Sequence, residues 1–314
     1  MIAERINRSQ FPESLHSYSF GAMGTSCALQ LFADYPLRAD MAAALAGAEV
    51  ERIEAKYSRY KPDSILSTIN RLAGEGETVE VDEETAGLLD YSFACHRKSD
   101  GLFDITAGVL RRVWNFSAGN LPANESIQKL LPLIGINKVR WTRPHLRFTV
   151  PGMEIDLGGI GKEYAVDRLA SLLESEGIAH GLIDLGGDFF VLGPHPNGQP
   201  WKIGLRDPHD TANIAGEVEV SRGALATSGD YERCLEFKGQ RYGHILDPRT
   251  GWPVQGLSSV TVLAPQCMVA GAAATIAMLK GHEGIAWLAD IGLPHLWVAG
   301  EGRLGGNMPT VWSA

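Results

Sequence analysis

The chain has 314 residues, 45% of them hydrophobic, which is enough to bury a large core in one or two domains. Its net charge of −9 and the lack of a basic cluster argue against nucleic acid as a partner. No apolar run approaches the roughly 18 residues of a membrane span, and residues 1–20 lack the apolar core of a signal peptide. We therefore expect no transmembrane segment and, as written, a cytoplasmic protein, or a periplasmic one if a native leader was removed.

The four cysteines are far apart without a C-x-x-C pair, so we expect reduced thiols and neither a zinc site nor disulfides.

The first third of the chain is predicted to alternate between extended and helical segments. In order, the pattern predicts a loose arm at 1–17, a strand at 18–32, a helix at 38–57, a short helix ending at 70 and an amphipathic helix at 85–96. Glycines on both sides of Met23 interrupt the strand, which indicates a bend or a backbone that faces a ligand. Asp63 or Ser64 is predicted to cap the short helix.

The segment 100–108 is unusual because an acid and a hydroxyl stand among apolar residues between two glycines. Asp104 and Thr106 could face a ligand, or Asp104 could cap the helix that follows. Both interpretations stay open. An insert or linker rich in proline and asparagine is expected at about 117–145.

The stretch 154–173 is the one around which the rest of the chain is organised. Its pattern predicts a strand end at 155–157, a glycine turn and then a helix, which is an arrangement that suits a phosphate. A P-loop is excluded because Asp156 and Glu163 stand where it needs glycine and Ser or Thr. A dinucleotide fingerprint is excluded because its third glycine is missing. An anion or nucleotide site and a simple tight turn both remain possible.

The second half is predicted to be rich in strands. The predicted strands are 181–185, 189–193, 201–205 and 216–220, with a turn at 186–188. Hairpins mixed with helices in this way predict an α+β fold with a largely antiparallel sheet.

Two later clusters have the composition of a functional site. His244 stands three positions before Asp247, and an arginine and a threonine follow within a D-P-R-T-G turn, which favours an active site over an isolated structural histidine. A helix of small residues is predicted over 266–279. Gly271 and Thr275 share one face of it, and a glycine inside a helix costs about 1 kcal/mol against alanine, so another factor must favour it.

Taken together and in order, these clusters resemble the ApbE family, the FAD:protein FMN transferases. The matching segments are Ala22–Thr25 (AMGT), Tyr60 with Asp63-Ser64 and Asn70, Gly101–Thr106 (GLFDIT), Asp156–Asp167 (DLGGIGKEYAVD), Leu185–Asp188 (LGGD), Thr227–Asp230 (TSGD) and His244–Gly251 (HILDPRTG). Each motif alone is weak, but the ordered set over roughly 18–300 is specific.

The resemblance implies a single compact T-fold-type domain over 18–314 that binds FAD and Mg²⁺. It implies transfer of FMN from FAD to a threonine or serine hydroxyl of an acceptor protein, with release of AMP. The implied FAD-binding residues are Met23, Tyr60, Leu102, Phe103, Asp104, Asp156, Lys162 and Ile245. The implied catalytic residues are His244, as general base, and Asp247. The implied metal positions are Gly159, through its carbonyl, Gly271 and Thr275.

One position departs from the family pattern. The family carries an aspartate four positions before its threonine, where this chain has Gly271. Mg²⁺ favours at least one carboxylate, so its affinity should fall unless Asp230, Glu163, water or the FAD phosphates compensate. On this basis we expect Gly271→Asp to increase Mg²⁺-dependent turnover. The alternatives are an FAD pyrophosphatase that uses water as nucleophile, and a flavin-binding or flavin-delivery protein with an impaired metal site.

Overall fold

The computed structural model describes residues 13–117, 119–210, 213–309 and 311–312. Within these ranges the helices are α1 (Pro36–Tyr57), α2 (Ile65–Gly74), α3 (Glu83–Lys98), α4 (Asn124–Leu130), α5 (Gly161–Ser175), α6 (Cys267–Lys280) and α7 (Glu283–Ile291), with 3₁₀ helices at Ile105–Arg112, Leu131–Leu133 and Ile136–Lys138. The strands are β1 (Ser14–Ala22), β2 (Thr25–Ala33), β3 (Val79–Glu80), β4 (Val139–Thr142), β5 (His145–Phe148), β6 (Gly181–Leu185), β7 (Asp188–Gly193), β8 (Trp201–Arg206), β9 (Ile214–Val220), β10 (Gly223–Gly229), β11 (Cys234–Phe237), β12 (Gln240–Gly243), β13 (Leu257–Ala264), β14 (His295–Ala299), β15 (Leu304–Gly306) and β16 (Val311–Trp312).

One large antiparallel sheet forms the centre of the fold. Its eight strands lie in the order β1-β2-β6-β7-β10-β13-β14-β15, and every neighbouring pair is antiparallel. Helices α1, α5 and α6 pack on one face and share the main hydrophobic core with it. A three-stranded sheet of β8, β9 and β16 contributes to a second core that includes Val191, Trp201 and Leu225. The α+β prediction with a largely antiparallel sheet is therefore confirmed.

The predicted strand at 18–32 is two strands joined by a tight turn. Met23 and Gly24 form the turn with φ of 52° and 73°, a left-handed conformation that glycine adopts without strain. β1 begins at Ser14, so the last residues of the expected arm belong to the sheet because they pair with β2. Residues 1–12 of that arm lie outside the described part of the chain.

The predicted strand end at 155–157 is wrong. This segment has no regular secondary structure and no sheet neighbour among the described strands. Instead, the Asn70 side chain bonds both backbone groups of Ile155, accepting at 2.8 Å and donating at 2.9 Å. The Asp156 N–H donates to the Ile105 carbonyl at 2.8 Å. A side-chain amide and a 3₁₀ helix thus replace the strand partner and hold the segment that leads into α5.

A carboxylate joins the two helices that border the site. Asp167 on α5 accepts hydrogen bonds from the N–H groups of Cys267 (2.6 Å) and Met268 (2.9 Å), the first two residues of α6. These donors have no partner inside their own helix, and the negative charge faces the positive end of the helix dipole. The contact therefore fixes the position of α6 along α5.

None of the helices in the described ranges is long and apolar enough to cross a bilayer. All four cysteines are free thiols, and three of them are buried.

Candidate active site

A cavity of about 210 Å³ opens where α5 begins, beside the last residues of β10 and the second half of α6. It brings together segments that are far apart in the sequence. Nine of the residues named from the sequence line it: Leu102, Phe103, Asp104, Asp156, Gly159, Lys162, His244, Ile245 and Thr275. The glycine turn before α5 and the histidine before the D-P-R-T-G turn therefore face one space.

Four residues named from the sequence do not line this cavity. Met23 lies in the β1-β2 turn, where its N–H donates to Glu54 at 2.6 Å. Tyr60 is 75% exposed. Gly271 lies on α6 behind the cavity wall, and Asp247 lies in the D-P-R-T-G turn.

Asp247 organises that turn. Its carboxylate accepts from the Arg249 side chain at 2.7 Å and 3.0 Å, and its carbonyl accepts from the Gly251 N–H at 2.8 Å. Burial alone would raise the pKa of the Asp247 carboxyl, but its hydrogen bonds with the Arg249 side chain and backbone and the Arg249 charge outweigh burial, and the net shift is downward. Its observed contacts are therefore those of a residue that positions the loop of His244.

Lys162 and Asp188 form the shortest of the described ion pairs between cavity-lining residues. The Lys162 ammonium lies 2.9 Å from the Asp188 carboxylate, whose side chain is only 2% exposed. Burial alone lowers the pKa of Lys162, but the negative charges of Asp188 and Glu163 outweigh it and the net shift is upward. Lys162 therefore stays a cation and can meet an anionic ligand.

Glu163 is the next residue on α5 and is 8% exposed. Within the described chain its Oε2 atom has no hydrogen-bond partner. Burial and the nearby Asp188 charge raise the pKa of Glu163 to about 8, against the attraction of Lys162. The cavity thus contains an acid that lacks a full set of partners.

Among the described residues, His244 is the one histidine that lines the cavity. Burial lowers its pKa to about 4, and the positive charges of Arg111 and Arg233 act in the same direction. Its Nδ1 atom is buried and has no partner among the described residues. At neutral pH the ring is therefore uncharged and able to accept a proton.

Asp104 caps the 3₁₀ helix that begins at Ile105, which confirms the second interpretation of the segment 100–108, that of a helix cap. Its carboxylate accepts from the N–H of Thr106 at 2.8 Å and from that of Ile136 at 2.9 Å. It nevertheless lines the cavity, so the cap also defines the wall. Asp156 holds the opposite part of this wall, bonded to Arg59 at 3.0 Å and to the Gly158 N–H at 2.9 Å.

Several lining residues were not among the sequence-named site residues. They include Gly108, Arg111, Asp188, Thr227, Ser228 and Glu232, together with Glu163, which was considered only as a compensating ligand. Arg111 follows the segment 100–108 and belongs to none of the motifs named from the sequence. In the 3₁₀ helix that forms, residues three apart eclipse each other, so Gly108 and Arg111 fall on one side.

Two of the hydroxyl groups in the cavity are hydrogen-bonded to each other. Thr275 Oγ1 lies 2.8 Å from Ser228 Oγ, which ties α6 to the end of β10. Within the described residues, no three His, Cys, Asp or Glu side chains cluster closely enough to hold a metal on their own. A metal here would need hydroxyl, carbonyl or substrate oxygens as well.

The fold and the cavity together define an α+β protein with an enzyme-like site, in which a lysine, buried carboxylates and a neutral imidazole surround one space. The chain belongs to the ApbE family, whose model matches residues 23–297.

Named relatives agree with this assignment. The FAD:protein FMN transferase of Vibrio cholerae is 32% identical over 240 residues, which are 74% of this chain and 72% of the relative. That of Treponema pallidum is 32% identical over 282 residues, 83% of this chain and 77% of the relative.

Solved structures agree as well. The ApbE protein of Thermotoga maritima superposes with a TM-score of 0.86 at 31% identity, covering 94% of this chain and 97% of that one. The flavin transferase ApbE of Vibrio cholerae gives 0.84 at 27% identity, covering 95% and 97%. The expected ApbE-like fold is thereby confirmed.

Proposed function

We infer that the chain is a flavin transferase that takes FAD and moves its FMN half onto a serine or threonine hydroxyl of an acceptor protein, releasing AMP. The family membership and the named relatives support this assignment. The observation that carries it is that Lys162 and His244 line one cavity. A diphosphate held by the lysine would then lie near a base that can take the proton of an incoming hydroxyl.

The reaction is a displacement at phosphorus. The acceptor hydroxyl oxygen forms a bond to the phosphorus of the FMN half, and the bond from that phosphorus to the bridging oxygen breaks. The bridging oxygen leaves with AMP, and the hydroxyl proton passes to His244. The low pKa of His244 keeps it unprotonated before FAD binds. The negative diphosphate would offset the charge of Arg111 and raise that pKa, which strengthens the base in the complex.

Other groups of the cavity would bind FAD without reacting. Lys162, Arg111 and the positive end of the α5 dipole would attract the diphosphate. Phe103 contributes an apolar wall beside Gly159, where an added Cβ would lie 3.4 Å from the phenylalanine ring. This wall suits a flavin or adenine ring.

We also propose that the reaction uses Mg²⁺. The oxygen atoms available in the cavity fit this ion. The Gly159 carbonyl and the Thr275 hydroxyl are neutral oxygen ligands, and Glu163 offers a buried carboxylate oxygen without a hydrogen-bond partner. When bound, Mg²⁺ would neutralise phosphate charge and make the phosphorus more electrophilic.

Intact-mass analysis of candidate acceptor proteins after incubation with FAD and Mg²⁺ tests the function. An acceptor that gains the mass of FMN, with equimolar AMP, is the expected result. Free FMN with AMP would indicate a pyrophosphatase instead, and FAD that stays bound and intact would indicate a flavin-binding protein. His244→Ala should abolish transfer while FAD still binds. His145→Ala, at an exposed histidine at the start of β5, is the matched control and should leave transfer unchanged.

A further inference from the structure

Glu163 has the surroundings of a cation ligand. It lies in the first turn of α5, lines the cavity and is 8% exposed. Among the described residues no cationic side chain lies within ion-pair distance of it: Lys162 pairs with Asp188 at 2.9 Å and acts on Glu163 only from further away. A buried carboxylate without a partner is strongly unfavourable, so a cation or a proton normally accompanies it.

Gly271 lies directly against this carboxylate, across the contact between α5 and α6. A Cβ built on Gly271 would lie 2.5 Å from Glu163 Cγ and 2.7 Å from Oε1. Such distances are too short for a real Cβ, so any residue other than glycine at position 271 would require the Glu163 side chain to move out of the space that it occupies. Thr275 is one turn further along the same face of α6 and lines the cavity with Glu163.

We propose that Glu163 supplies the carboxylate ligand of the Mg²⁺ site, the role that the family resemblance implies for an aspartate at position 271. The inference rests on the proposed function and specifies its metal site. In this arrangement the carboxylate enters the cavity from α5 instead of from α6. Position 271 is then occupied by glycine because the Glu163 side chain fills the space that a larger residue would need. This also identifies the factor that favours glycine inside α6.

The expectation for Gly271→Asp changes as a result. An aspartate there would collide with Glu163 and place two carboxylates in one space, so the single substitution should weaken the site. Moving the carboxylate from α5 to α6 requires substitutions at both positions. Glu163→Gly removes the side chain that fills the space, and Gly271→Asp then places a carboxylate in it.

Binding of Mn²⁺, which can be followed by electron paramagnetic resonance, tests the ligand independently of turnover. Glu163→Gln keeps the shape of the side chain and removes its charge. We expect the dissociation constant for Mn²⁺, measured with FAD bound, to rise by roughly tenfold or more, as even the loss of a group that only supports a ligand costs about 10- to 100-fold. Glu176→Gln, at an exposed acid just beyond α5, is the matched control and should bind Mn²⁺ normally.

A second experiment tests the double variant, in which the carboxylate is moved from position 163 to position 271. E163G/G271D should bind Mn²⁺ at least about tenfold more tightly than E163G alone, in line with the loss expected on removing the ligand. Circular dichroism confirms that each variant is folded. The proposal is overturned if the unsubstituted chain binds no Mn²⁺, if Glu163→Gln binds it normally, or if the double variant binds no better than E163G. Failure of the proposed function is a separate result: Mn²⁺ and FAD bind to the unsubstituted chain, but no FMN reaches an acceptor.

Discussion

The neutral state of His244 should be visible in the pH dependence of stability. On folding, its pKa falls from 6.5 to about 4, mainly because the ring is buried. Above pH 6.5 neither state binds the proton, so His244 has no effect. As the pH falls from 6.5 to 4 the unfolded chain takes up the proton first, and the free energy of unfolding decreases. The full difference is about 3 kcal/mol and is reached below the folded pKa.

Urea unfolding followed by circular dichroism between about pH 7 and pH 4 measures this effect. His244→Asn should flatten the curve relative to the unsubstituted chain, whereas His145→Asn should not. The carboxylates that titrate in the same range are common to all three proteins and cancel in the differences. Parallel curves for the unsubstituted chain and His244→Asn would refute the assignment of a buried, neutral imidazole.

Three substitutions test the walls of the cavity. Lys162→Met leaves the buried Asp188 carboxylate without its cation and should lower the free energy of unfolding by about 3 kcal/mol, with weaker FAD binding measured by flavin fluorescence; unchanged stability would contradict a buried ion pair. Gly108→Ala places a Cβ 2.3 Å from Asp156 Cβ and should cost about 1–3 kcal/mol in urea unfolding, whereas Gly87→Ala in α3, with open space around the new Cβ, should be neutral or stabilising. Asp104→Ala removes the acceptor of two backbone N–H groups and should cost about 2 kcal/mol, a loss that would appear as a lower melting temperature.

The helices and the hairpins could be predicted because their signals are local. α5 was expected within the stretch 154–173, and the strands at 181–185 and 201–205 follow from alternating or apolar runs. The segment 155–157 has the composition of a strand, but a strand also needs a neighbour, and the neighbour is decided by the tertiary fold. There the Asn70 side chain fills that role, which no periodicity reveals.

The site residues could be named mostly because ordered motifs accompany them, yet their contacts depend on packing. The sequence contains both Glu163 and Gly271 but does not show that one fills the space of the other. Met23 and Tyr60 have the family's residue types, while the structure places them outside the cavity lining. Whether they contact FAD stays a prediction.

The capping of α6 by Asp167 has a consequence for how the site forms. One carboxylate bonds the N–H groups of both Cys267 and Met268, so α6 cannot slide past α5 without leaving two partly buried donors unpaired. The spacing of Glu163, Gly271 and Thr275 is therefore set when the chain folds and does not wait for a ligand to close it. The amide protons of Cys267 and Met268 should accordingly exchange with deuterium only through large-scale opening, and fast exchange at these two positions would show that the helices move independently.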